Sequence, residues 1–125
     1  MSVEKSFLLI SETEDSSWLS VIATALAPLG HLQVAPLSEA LGLIQRQPQQ
    51  MIIIDAADVE EPSALVARIR AVCRGARVVV ATASPTWRRT REAFRAGATD
   101  YIRKSLSKAE LQEALAEALD KTPPP

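Results

Sequence analysis

Five short apolar runs, each followed by a longer amphipathic segment, constrain this chain more than any other feature. The runs cover residues 7–10, 31–35, 50–54, 77–81 and 100–103. They have strand length, and the run 7–10 lacks polar alternation, so it reads as a strand buried on both faces. Between the runs, apolar side chains recur at helical spacing. The stripes are Trp18, Ile22, Leu26 and Leu29; Leu41 and Ile44; Leu65, Val66, Ile69 and Val72; and Leu111, Leu115, Ala118 and Leu119. In the fourth segment Trp87, Thr90, Phe94 and Ala98 are expected to face inward, wholly or in part.

Start and stop signals bracket these segments. Asp15, Ser16 or Ser17 can cap the first helix, Ser38 the second and Ser63 the third. Ser84 is the expected cap of the fourth, with Pro85 at its first position, where a missing N–H costs nothing. Ser107 and Glu110 have capping-box spacing before the fifth. Gly30, Pro48, Gly75 and Gly97 supply stops. Strict strand–helix alternation implies right-handed crossovers and a parallel sheet covered by helices on both faces. The predicted fold is α/β, a flavodoxin-like (βα)5 unit with strand order 2-1-3-4-5. Its switch point falls between the first and third strands, which end at Ser11-Glu12 and at Asp55. Ligands of open α/β sheets gather at that carboxyl edge.

Three polar residues follow the strands there: Asp55, Thr82 and Lys104. Any one of them reads as a simple strand end. A carboxylate, a hydroxyl and an ammonium together in one repeating chain read as a reaction site. The 125 residues suit one domain, predicted over 1–121, with 122–125 a Pro-rich tail or the start of a linker. A formal net charge of −1 gives no broad attraction to nucleic acid or to an anionic membrane. No window approaches the ~20 apolar residues of a membrane helix, and residues 7–10 are too short for a signal-peptide core. One cysteine, Cys73, can form neither an internal disulfide nor a metal cluster, which fits a reducing cytoplasm. Gly-rich phosphate loops, nucleophile elbows and Cys/His metal spacings do not occur. The segment SETEDSS follows the first strand where a dinucleotide fold needs glycines, and the lone His31 is expected to be structural or exposed. The chain is therefore not expected to be an enzyme beyond chemistry on its own carboxylate. A purely structural module would need neither Asp55 nor Lys104.

Residues 93–106, AFRAGATDYIRKSL, resemble the Ala-Gly-Ala, aromatic and lysine stretch of response-regulator receiver domains. The resemblance extends over nearly the whole chain. It implies that Asp55 accepts a phosphoryl group from a histidine kinase or phosphotransfer protein. Thr82 and Lys104 then match the hydroxyl and the lysine, and Tyr101 the aromatic switch. It also implies a Mg²⁺ site on Glu12, Asp55 and the backbone carbonyl of Ala57. Signalling would run through the face of the fourth helix, fifth strand and fifth helix, carrying Trp87, Arg88, Arg91, Arg95, Arg103 and Lys108, toward an output domain, a partner protein or a second copy. Phosphoryl transfer to a carboxylate needs this equipment: an in-line nucleophile, a compact cation and a hydroxyl donor.

The departures are specific. The family places two adjacent acids after the first strand, and here the first is Ser11. Glu12 is one methylene longer than aspartate, and Mg²⁺ demands near-octahedral geometry. Glu14 and Asp15 could compensate, but both suit the start of the first helix. Ser105 stands where a proline usually follows the lysine, and the loop AADVEEP is about one residue short. Two readings stay open: an active receiver with a weakened metal site, and a degenerate receiver acting as a phosphorylation-independent interaction module.

Overall fold

The computed structural model describes residues 5–13 and 16–122. Its strands are β1 (Ser6–Ile10), β2 (His31–Ala35), β3 (Met51–Asp55), β4 (Arg77–Thr82) and β5 (Asp100–Arg103). Its helices are α1 (Ser17–Leu26), α2 (Leu37–Arg46), α3 (Pro62–Val72), α4 (Trp87–Ala96) and α5 (Lys108–Asp120). The sheet is parallel throughout, in the order β2-β1-β3-β4-β5, as the alternation predicted. Asp55 and Thr82 are each the last residue of their strand. No helix among the described residues is long and apolar enough to cross a membrane.

Side-chain alternation along each strand sorts the core into two layers. Phe7, Leu9, Met51, Ile53, Val79, Ala81 and Ile102 pack with α1 and α5. Leu8, Ile10, Ile52, Ile54, Val78 and Val80 pack with α2, α3 and α4. Because helices cover both faces, β3 and most of β1 and β4 can be apolar without exposing anything. Each fully buried Leu or Ile contributes ~1.5–3 kcal/mol relative to exposure.

Helix starts agree with the sequence at two ends and differ at three. Ser16 caps α1, accepting the Leu19 N–H, and Ser107 caps α5, accepting the Glu110 N–H. The Asp15 alternative lies outside the described residues. The second half of the α5 capping box is rerouted. The Glu110 carboxylate accepts the Ser105 hydroxyl, which in turn accepts the Ser107 N–H. Ser105 thus builds the turn after β5 that a proline would otherwise shape.

Ser38, Ser63 and Ser84 are not caps. Helix α2 starts at Leu37 after Pro36, without a side-chain cap of its own, and α3 has Pro62 in its first turn. The Ser84 N–H donates to Thr82 Oγ1, and α4 begins later, capped by the Thr86 hydroxyl on the Arg89 N–H. The inward stripe expected on α4 holds at Thr90 and Ala98 and is corrected at Trp87 and Phe94. Trp87 is 77% exposed and Phe94 45%, whereas Ala93 is the buried residue of the helix. Large apolar residues dominate the periodicity, but a small alanine lets the helix approach α3 and β5.

Two glycines have geometric reasons. Gly97 ends α4 with φ +111°, in the left-handed region that side chains disfavour. Gly30 has no positive φ, but a Cβ there would lie 2.4 Å from the Lys5 carbonyl oxygen and 2.8 Å from the Phe7 ring. Gly75 has open space around it. Gly97→Ala should therefore lose about 1–3 kcal/mol in urea denaturation. Gly75→Ala should stay within about 0.5 kcal/mol of the parent.

Candidate functional site

Strand phase decides which groups meet at the carboxyl edge. Asp55 continues the Met51–Ile53 phase and so projects toward α1 and α5. Lys104, one residue past β5, shares the phase of Ile102. Between them lies Ala81 of β4, in register with both Asp55 and Ile102. Its methyl group is too short to block the lysine, which reaches across β4. The Lys104 N–H donates to the Thr82 carbonyl at 2.7 Å, fixing the exit from β5.

Asp55 is almost fully buried, and its Oδ1 takes two contacts. Lys104 Nζ lies 2.6 Å away, and the Ala57 N–H donates at 3.1 Å. The ammonium also lies 5.0 Å from the centre of the Trp18 ring, in the first turn of α1. Lys104 is thus held between a carboxylate and an indole face, where a cation is attracted to the ring quadrupole. The sequence marks Trp18 as a core residue close to the site, and the ring contact with Lys104 bears out that closeness. Its second role comes from α1 and β5 meeting on the same side of the sheet.

Thr82 follows the opposite phase, with Val78 and Val80, and faces α3 and α4. Its Oγ1 accepts the Ser84 N–H at 3.2 Å, which leaves its own proton free to donate. Thr82 and the half-buried Tyr101 line one cleft of about 550 Å³, together with Ala57, Glu61, Ser84 and Ala93. No hydrogen bond joins Thr82 to Asp55 among the described residues. The structure therefore joins Asp55 to Lys104 and Thr82 to Tyr101, as two neighbouring pairs.

The end of β1 is arranged differently from the sequence reading. Glu12 Oε1 accepts the Leu37 N–H at 2.9 Å, so this carboxylate serves the uncapped start of α2. A different acid stands at the end of β1. Asp58 closes the 3₁₀ turn Ala56–Asp58, and its Oδ2 accepts from Ser11 Oγ at 3.0 Å and the Glu12 N–H at 2.9 Å. The signal for Asp58 was its position three residues after Asp55, which one tight turn brings back beside the strand. Register pairs Ile10 with Ile54, so Ser11 leaves the sheet beside Asp55.

Among the described residues, no three carboxylate, imidazole or thiol groups cluster closely enough to hold a metal. Glu14 and Asp15 lie outside those residues. Mg²⁺, however, usually takes one or two carboxylates and completes its shell with water. Asp55 and Asp58, the latter held by the Ser11 hydroxyl, offer oxygen donors of that kind, so the residues present fit a hard divalent cation.

The expected signalling residues lie at the surface. Trp87, Arg91 and Arg95 are exposed on α4, with Arg103 on β5 and Lys108 on α5, and Phe94, expected inward, joins them at the surface of α4. Arg88 pairs with Glu92 at 3.2 Å on the same helix. His31 is exposed, and Cys73 is half-buried at the end of α3.

The Asp55–Lys104 contact predicts measurable coupling. A double-mutant cycle on Asp55→Asn and Lys104→Met, read by urea denaturation, should give an interaction of about 0.5–3 kcal/mol. Strict additivity would contradict a formed pair.

No protein-family model matches the sequence, and no curated protein matches it. Solved structures do match. A response regulator from Thermotoga maritima superposes with TM-score 0.83 at 24% identity, covering 94% of this chain and 98% of that one. The signal receiver domain of an HD domain-containing protein from Pseudomonas fluorescens Pf-5 gives 0.79 at 25% identity, covering 96% and 90%. An atypical orphan response regulator, described as having a phosphorylation-independent regulatory mechanism, gives 0.76 at 23%, covering 91% and 94%. With its strand order and the placement of its strand-end residues, this chain has the fold of the response-regulator receiver domains.

Proposed function

We propose that this chain is a receiver that accepts a phosphoryl group on Asp55 from a histidine kinase or phosphotransfer protein. The observation that carries the reading is the 2.6 Å contact between Asp55 and Lys104 at the carboxyl edge of the sheet. A phosphohistidine donor would lose its N–P bond as an Asp55 oxygen forms the new O–P bond. Lys104 would shift from the free carboxylate to a phosphoryl oxygen, neutralising charge that the buried site could not otherwise carry. The Thr82 hydroxyl would donate to another oxygen. A bound Mg²⁺ supplies further neutralisation of the phosphoryl charge.

The cleft beside Thr82 offers the route outward. Drawing Thr82 toward the phosphoryl group enlarges the space next to Tyr101, and the ring moves into it, shifting a population of conformers. The readout surface is α4, β5 and α5, where Trp87 and Phe94 give apolar anchors among Arg91, Arg95, Arg103 and Lys108. An acidic partner surface, an output domain or a second copy of the chain would dock there, in a cytoplasmic setting.

A second reading is supported by the end of β1. Ser11 replaces an acid, and the Glu12 carboxylate is occupied by the Leu37 N–H. A phosphorylation-independent interaction module would tolerate both, and one structural neighbour is an atypical orphan response regulator described as having a phosphorylation-independent regulatory mechanism.

Intact-mass analysis after incubation with acetyl phosphate and Mg²⁺ separates the two. The acceptor reading expects one added phosphoryl group, absent in Asp55→Asn, with Lys104→Met reducing the yield at least about tenfold. An unchanged mass in the parent protein selects the module reading. Trp87→Ala should leave the added mass intact and weaken partner binding by about 2 kcal/mol in calorimetry.

A further inference from the structure

Resting on the acceptor reading, we infer that Asp58, and not Glu12, is the second carboxylate that holds a divalent cation beside Asp55. The acid missing from the end of β1 is replaced from the other side of the site, by the turn that follows β3.

Three observations converge on Asp58. Its Oδ2 touches the Ser11 hydroxyl and the Glu12 N–H, so the carboxylate stands against the end of β1, where the resemblance places an acid. Its Oδ1 takes no hydrogen bond among the described residues, which leaves one oxygen of this group without a protein partner. The Glu12 carboxylate has another task, since it satisfies the first N–H of a helix that lacks its own cap.

The Ser11 side chain explains why the exchange is self-consistent. Ser11 is 4% exposed, and its hydroxyl donates to Asp58. An aspartate at position 11 would replace that donor by a second carboxylate at the same place, and the like charges would repel. Serine is small enough to admit Asp58 and polar enough to orient it. A ligating carboxylate held by an outer hydroxyl and an amide is the usual way a metal ligand is kept in orientation. Asp55 and Asp58 then give the two carboxylates that Mg²⁺ typically uses, with hydroxyl, carbonyl or water oxygens completing the shell.

Mn²⁺ broadening in ¹H–¹⁵N spectra of the whole chain locates the ion, and Mg²⁺ calorimetry measures it. Broadening should be strongest at Ser11, Ala57 and Asp58 and weak at Leu37, where the Glu12 carboxylate sits. Asp58→Asn keeps a hydrogen-bond acceptor for Ser11 and should lower Mg²⁺ affinity by more than about a hundredfold, beyond the usual loss for an outer partner alone. Glu12→Gln should lower it by less than about threefold. The charge-relocating double variant Ser11→Asp/Asp58→Asn should recover most of the loss.

Broadening centred on Leu37, or an Asp58→Asn protein that binds Mg²⁺ like the parent, would overturn the assignment. So would a parent protein that binds no divalent cation at millimolar concentration. The mass gain on Asp55 is read independently, so a chain that accepts the phosphoryl group but ignores Asp58→Asn fails this inference alone.

Discussion

A parallel strand covered by helices on both faces has room for a charged side chain only at its end. That constraint organises this molecule. The five residues of β3 are all buried, and the single charge among them is at the last position. There the chain leaves the core and a partner can reach it. The cost of burying Asp55 is met by Lys104, which can cross β4 only because Ala81 presents a methyl group. Had the β4 position carried a branched side chain, the lysine would have been turned away and the carboxylate left uncompensated.

The same geometry divides labour between the two faces. Asp55 and Lys104 belong to the side of α1 and α5, while Thr82 and Tyr101 belong to the side of α3 and α4. The charged pair and the hydroxyl–aromatic pair therefore occupy different layers, which meet at the strand ends. Thr82 touches both sides, since its side chain lines the cleft beside α4 while its carbonyl holds the Lys104 N–H.

Much of this was legible before any coordinates. Periodicity separated strands from helices, and strand phase is arithmetic, so the order of the sheet and the three strand-end residues followed from the sequence. Local hydrogen-bond competition was not legible. Ser38, Ser63 and Ser84 each had the chemistry of a cap, but Pro36, Pro62 and the Ser84–Thr82 bond settled those ends otherwise. Glu12 looked like a ligand because of its place in the chain, and nothing local announces that the start of α2 lies within reach of it, 25 residues on. Asp58 was hidden for the converse reason, since its reach to Ser11 depends on a single turn of 3₁₀ helix. The α4 stripe misled because hydrophobic spacing identifies a face without saying whether the core has room for it.

That last feature has a mechanical meaning. Helix α4 is moored to the body by one fully buried side chain, Ala93, and a methyl group offers little grip, about 1 kcal/mol. Trp87 hangs outward, and Phe94 is only partly covered, so the heavy apolar residues add little to that mooring. An element held so lightly can tilt or slide without disturbing the packing of the sheet beneath it. Its stiffness belongs to its own hydrogen bonds, and its position is set by whatever fills the cleft beside it and whatever grips it from outside.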